Sequence, residues 1–143
     1  MQLIIKTLLI TLLGFSLSVW AEDKRNHPDI DIELLLENYK ATWSIEDPAE
    51  RFAVLRKIWL KNGVHESPFG RSEGIIAINQ EIGGFLNQFP NAVVEFEDIR
   101  KTGNHVVCTF ILRGADGTII LKGIDYFEFN HHGYLSKVVG FVE

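Results

Sequence analysis

The sequence predicts an α+β fold, with amphipathic helices in its first part and an antiparallel meander after them. Three observations carry this. Apolar residues recur at spacings of three and four up to Pro90, and from Ala92 onward they alternate. The alternating segments Ala92–Lys101, His105–Arg113, Thr118–Asn130 and Leu135–Val142 are separated by Thr102-Gly103-Asn104, Ala115-Asp116-Gly117 and His131-His132-Gly133. Each gap is short and holds a glycine, the chemistry of hairpin turns. Helices segregated from strands, rather than interleaved with them, mean α+β.

Residues 1–21 read as a cleaved signal peptide. Lys6 precedes an apolar run from Thr7 to Trp20, and Val19-Trp20-Ala21 stands before the charged Glu22-Asp23-Lys24-Arg25. A basic start, an apolar centre and a small-residue cleavage site are the marks of export. The apolar run is short for a spanning helix. No cysteine lies near the site to take a lipid. Residues 22–143 are then one domain, secreted or periplasmic, and long enough for one core.

Asp29 or Asp31 can cap a first helix with Ile32, Leu35, Leu36, Tyr39 and Trp43 on one face. Asp47-Pro48-Ala49-Glu50 starts a second, with Asp as cap and Pro in the first turn. Phe52, Leu55, Ile58 and Trp59 form its inner stripe, and Asn62-Gly63 is expected to end it. Val64–Ser67 reads as a short strand leading into the loop Pro68-Phe69-Gly70-Arg71. Ser72 can cap a third helix, with Ile75, Ile78, Ile82, Phe85 and Phe89 inward and Pro90 as its stop. Its interior Gly83-Gly84 suggests close packing.

Asp125 stands out in the longest strand. Side chains alternate along a strand, so Ile119, Leu121, Gly123, Asp125, Phe127 and Phe129 share a face. Every other member is apolar or glycine. A carboxylic acid there must find partners or stay neutral through a raised pKa. A neutral acid in an apolar site is a hydrogen-bond donor suited to an oxygen of a small molecule. On the opposite face, Ile120, Ile124 and Tyr126 would expose apolar surface, which makes a homodimer through the sheet an expectation. A long sheet must twist and curl. The helices would cover its concave face and leave a pocket.

Composition narrows the partners. The formal net charge is −5 and no basic cluster follows the leader. Nucleic acid is therefore not an expected partner, nor is a membrane once the leader is removed. Cys108 is alone, so it forms no internal disulfide and reads as a buried small hydrophobe.

Tyr39 and Asp125 form the leading pair of candidate catalytic residues. Both lie on inward faces, and together they can donate to one developing oxyanion. His65 and Ser67, two apart on the short strand, share a face. His65 is a candidate base near neutral pH. Ser67 has no visible activating group, so it is at most a ligand contact. Trp43, Trp59, Phe69, Phe85 and Phe127 are the aromatic candidates for lining a ligand cavity. His131-His132 belong to a turn, and no spacing in the chain calls for a metal or an organic cofactor.

A family likeness runs through these segments in order. Tyr39-Lys40-Ala41-Thr42-Trp43, Asp47-Pro48 with Arg51, Val64-His65-Glu66-Ser67-Pro68-Phe69-Gly70, Gly74-Ile75 with Ile78, Gly123-Ile124-Asp125-Tyr126-Phe127, and Gly133, Leu135, Val138, Gly140 and Phe141 resemble the SnoaL-like branch of the nuclear transport factor 2-like superfamily. The likeness covers nearly all of residues 22–143. It implies a cystatin-like cone, a curved antiparallel-dominated sheet around a long N-terminal helix, with a pocket inside. The superfamily includes ketosteroid isomerases and polyketide cyclases as well as non-catalytic binding domains. Tyr39 resembles the isomerase's oxyanion tyrosine, and Asp125 its protonated aspartic acid. Where the isomerase carries its aspartate base before a proline, this chain has Ser67-Pro68, and serine cannot deprotonate a carbon acid.

Three readings of function follow. One is an exported domain that binds a small apolar ligand through a carbonyl or phenol oxygen. The second is a cofactor-independent isomerase, cyclase or lyase acting on a carbonyl substrate, with His65 as base. The third is a dimeric interaction module whose pocket is closed by its own side chains.

Overall fold

The computed structural model describes residues 31–143; the leader reading for residues 1–21 lies outside them. Asp31 opens α1 (Ile32–Thr42) by accepting the Leu34 N–H at 2.9 Å. Ile32, Leu35, Leu36 and Tyr39 are its buried face, as the spacing predicts. Asp47 caps α2 (Pro48–Ile58), accepting from the Ala49 and Glu50 N–H groups at 2.9 and 2.7 Å. Each cap satisfies donors that a helix start otherwise leaves unpaired. Arg51 is buried on α2, and its guanidinium ties three segments together. It donates to the Ile45 carbonyl at 2.6 Å and to Asn79 Oδ1 at 2.7 Å.

The next boundary differs from the expectation. α2 ends at Ile58, and Trp59 begins β1 (Trp59–Ser67) instead of closing the helical stripe. The indole is buried in the core, and it explains Gly63. A Cβ on Gly63 would lie 2.5 Å from the Trp59 ring. Asn62-Gly63 therefore makes room for the indole inside a strand and does not cap the helix. β1 is also irregular here, with a register shift between Trp59 and Val64.

Ser72 is likewise no cap. It lies in β2 (Gly70–Glu73), a short antiparallel partner of β1 that pairs it with His65. α3 (Ile75–Gln88) starts from Gly74, whose φ of 85° is a conformation that glycine accepts without strain. Its buried positions are Ile75, Ile78, Ile82 and Leu86. The two interior glycines behave differently. A Cβ on Gly83 would meet the Arg51 guanidinium at 2.9 Å, whereas one on Gly84 would meet nothing within 4 Å among the described residues. Close packing explains Gly83 only.

β3 (Val93–Thr102), β4 (His105–Arg113), β5 (Ile119–Phe129) and β6 (Leu135–Val142) complete a six-stranded sheet in the order β2-β1-β6-β5-β4-β3. β1 runs parallel to β6, and the other pairs are antiparallel. A register shift at Leu112/Arg113 turns the start of β5 over. Ile119 is consequently exposed, and Ile120 joins Leu121 on the inner side, the reverse of strict alternation. From Gly123 to Phe129 the predicted inner face holds. Gly123 is required by a close approach: a Cβ there would lie 1.9 Å from the Phe141 carbonyl oxygen. The helices cover the concave face. Tyr39 of α1 stacks on Phe96 and meets Phe127 edge-on at 5.1 Å. On the convex face, the cross-strand pair Ile124 and Phe141 is exposed.

Candidate functional site

A cavity of about 560 Å³ opens between α1, α3 and the concave sheet. That volume is ordinary for a site holding a small organic molecule. Much of its wall is apolar, supplied by Phe85 of α3 and Phe89 just after it, Phe110 and Leu112 of β4, Ile120 and Leu121 of β5, and Val142 of β6. Its chemistry comes from Tyr39, His65, Ser67, Glu81 and Asp125.

Asp125 reaches this place because of what its strand neighbours lack. It pairs with Cys108 on one side and Gly140 on the other. A Cβ on Gly140 would lie 3.1 Å from Asp125 Oδ1 and 3.7 Å from Ser67 Cβ. The missing side chain thus gives the carboxyl room toward β1. Asp125 is 7% exposed. Burial pushes its pKa from the usual 3.8 up to about 7, and the nearby His65 acts in the other direction. At neutral pH a large share of Asp125 is protonated and can donate.

Tyr39 lies on the last turn of α1, where the i, i+3, i+4 spacing turns it inward. Trp43, Trp59, Phe96 and Phe127 surround its ring. Burial holds the phenol well above its ordinary pKa, and the charge of Asp125 adds to the rise. Tyr39 is therefore a fixed O–H donor near Asp125.

His65 is buried near the end of β1, between β2 and β6. Its ring sits 5.6 Å from that of Trp43. Its Nδ1 is 2.8 Å from Glu81 Oε1. Glu81 comes from the cavity side of α3, and its Oε2 is buried without a hydrogen-bond partner among the described residues. Sequence reasoning missed Glu81. The signal was present: Ile78, Glu81, Phe85 and Gln88 are spaced by three and four, so an acid stands on the apolar stripe.

The other candidates divide. Trp43, Ser67, Phe69 and Phe85 line the cavity along with Tyr39, His65 and Asp125. Phe69 is 74% exposed and sits at the rim, in the β1–β2 turn, where its N–H donates to Ser67 Oγ at 3.3 Å. Trp59 and Phe127 do not line it. Both are sealed in the core behind Tyr39, at 2% and 0% exposure, and act by holding its ring. An inward face on a curved sheet supplies the packed core as well as the cavity, and alternation alone does not separate the two. Cys108 is buried beside Asp125, and burial raises its thiol to about 12, so it is an inert neighbour. His131 and His132 lie in the exposed β5–β6 turn, away from the cavity. Among the described residues no group of three or more His, Cys, Asp or Glu is placed to hold a metal ion.

Solved structures share this architecture. A protein proposed to be an isomerase of the SnoaL-like family, from Agrobacterium tumefaciens, aligns over 78% of this chain and 96% of its own, with a TM-score of 0.73 and 25% identity. A protein proposed to be a SnoaL-like polyketide cyclase, from Jannaschia, aligns over 83% and 91%, with a TM-score of 0.63 and 16% identity. A protein proposed to be a polyketide cyclase, from Sinorhizobium meliloti, aligns over 74% and 92%, with a TM-score of 0.61 and 15% identity. The last two likenesses concern the fold alone. No protein-family model and no curated protein sequence matches the chain.

Proposed function

We propose that this chain, which belongs by its fold to the SnoaL-like branch of the nuclear transport factor 2-like superfamily, is a cofactor-independent proton-transfer enzyme of the isomerase or cyclase kind. Its substrate is a small, largely apolar molecule with a carbonyl oxygen. The observation that carries the reading is the buried Asp125 carboxyl on the wall of a largely apolar cavity, which it shares with a buried histidine and a buried tyrosine. Burying an acid in such a place costs stability, which a role in the chemistry accounts for. The cavity also weighs against an interaction module, which needs its pocket filled by its own side chains.

In this proposal the carbonyl oxygen rests against the Tyr39 hydroxyl and the protonated Asp125 carboxyl. His65 Nε2 takes a proton from the carbon next to the carbonyl. The C–H electron pair moves onto the oxygen as an enolate, whose charge the two donors stabilise. Imidazolium then returns the proton to the far carbon of the enolate system, which completes a 1,3-shift. Ser67 occupies the position of the usual aspartate base and cannot do this work, so the base is His65.

The test is exchange of deuterium from solvent into a panel of β,γ-unsaturated and other enolisable ketones. The wild-type protein is expected to catalyse exchange on at least one. His65→Ala is expected to lose it by about 10²-fold or more while still binding the ketone. Exchange that is undiminished in His65→Ala, or absent across the panel, would refute the proposal.

A further inference from the structure

We propose that Glu81 is the positioning residue that makes His65 a base, by fixing which ring nitrogen carries the proton. The inference rests on the proton-transfer reading of the cavity and assigns a role within it. The Glu81 carboxylate can only accept, so at 2.8 Å from Oε1 the His65 Nδ1 must donate. Neutral imidazole carries one N–H. With it on Nδ1, the lone pair belongs to Nε2, on the other edge of a ring that lines the cavity.

The second oxygen of Glu81 strengthens the argument. Oε2 is buried and has no hydrogen-bond partner among the described residues, so there the carboxylate's side-chain partner is His65, through Oε1. A carboxylate stripped of water on one side interacts strongly with a neighbouring positive charge. Once Nε2 has taken a proton from the carbon acid, the charge on the ring faces the Glu81 carboxylate across 2.8 Å. Nothing passes to Glu81 in this step. The C–H bond breaks, the N–H bond forms at Nε2, and the Nδ1 proton stays where it is.

The arrangement also follows from the fold. β1 carries His65, α3 packs against the β1–β2 hairpin, and the three-four spacing of α3 aims Glu81 at it. The pairing joins two separate elements across sixteen residues of chain.

The test reads the His65 tautomer directly, from the ¹⁵N chemical shifts of its ring in the neutral form, in the wild-type protein and in Glu81→Leu. No substrate is needed. The wild type is expected to show protonated Nδ1 and bare Nε2. Glu81→Leu, which keeps an apolar filler in place, is expected to shift the proton to Nε2. In the same variant, exchange kcat should fall about 100-fold with KM unchanged. A wild-type ring protonated on Nε2, or a Glu81→Leu ring still protonated on Nδ1, would overturn the assignment. The tautomer decides the role of Glu81 even if no ketone in the panel exchanges, so the two proposals fail separately.

Discussion

Asp125 links stability to function, and the sign of the link can be worked out. Its folded pKa is about 7, against an ordinary 3.8. Between those values the folded chain holds a proton that the unfolded chain has lost. Asp125's contribution to stability therefore falls as pH rises from about 4 to about 7 and is level on either side, with a drop of roughly 4 kcal/mol at most. Asp125→Asn keeps the shape and a donor but never ionises. Urea unfolding should show the variant gaining on the wild type as pH rises through this window, by about 1–3 kcal/mol at pH 8. A constant difference between pH 4 and 8 would mean that Asp125 is ionised in both states. This acid was legible in the sequence because strand alternation is simple: one carboxyl stands among apolar positions. Glu81 carries an equivalent signal at helical spacing, yet its importance depends on the partner His65. That partner is sixteen positions away in sequence, on another element, so periodicity within α3 could not reveal it.

The elements divide in the same way. The cap Asp47 was readable because capping is local chemistry, and the first cap was narrowed to Asp29 or Asp31, of which Asp31 caps α1. The α2–β1 boundary was not. Trp59 fits a helical stripe and a buried strand start equally well, and only its tertiary packing against Tyr39 and Gly63 decides. Ser72 was misplaced for a related reason: its pairing with His65 outweighs its capping propensity. On α3, Gly84 lines the cavity, and a Cβ there would touch nothing within 4 Å among the described residues. Gly84→Leu should therefore fill ligand space without a clash. Helix propensity favours the change by about 0.5–1 kcal/mol. The expected outcome is an equal or higher melting temperature together with loss of ketone binding by titration calorimetry. Loss of folding would show that Gly84 is needed for packing. Unchanged binding would place the ligand elsewhere.

At the scale of the whole molecule, the α+β order and the curved sheet followed from segregated periodicities and three glycine-bearing turns. A pocket between helices and sheet was expected, but which inward residues line it could not be read. Trp59 and Phe127 share inward faces with residues that line it, but the curvature of the sheet leaves them in the solid core. The register shift that brings Ile120 inward is another three-dimensional fact with no local mark in the chain. What the fold achieves is a separation: a packed end that locks the Tyr39 ring, and a hollow end where Asp125, His65 and Glu81 meet apolar walls. The proposed chemistry depends on a protonated Asp125 at that junction. Its most direct test is an NMR titration of the Asp125 side-chain carboxyl carbon in the folded domain. A midpoint near 7 is the predicted result. A midpoint near 4 would mean an ionised, solvated carboxylate at neutral pH and would contradict the proposed donor site.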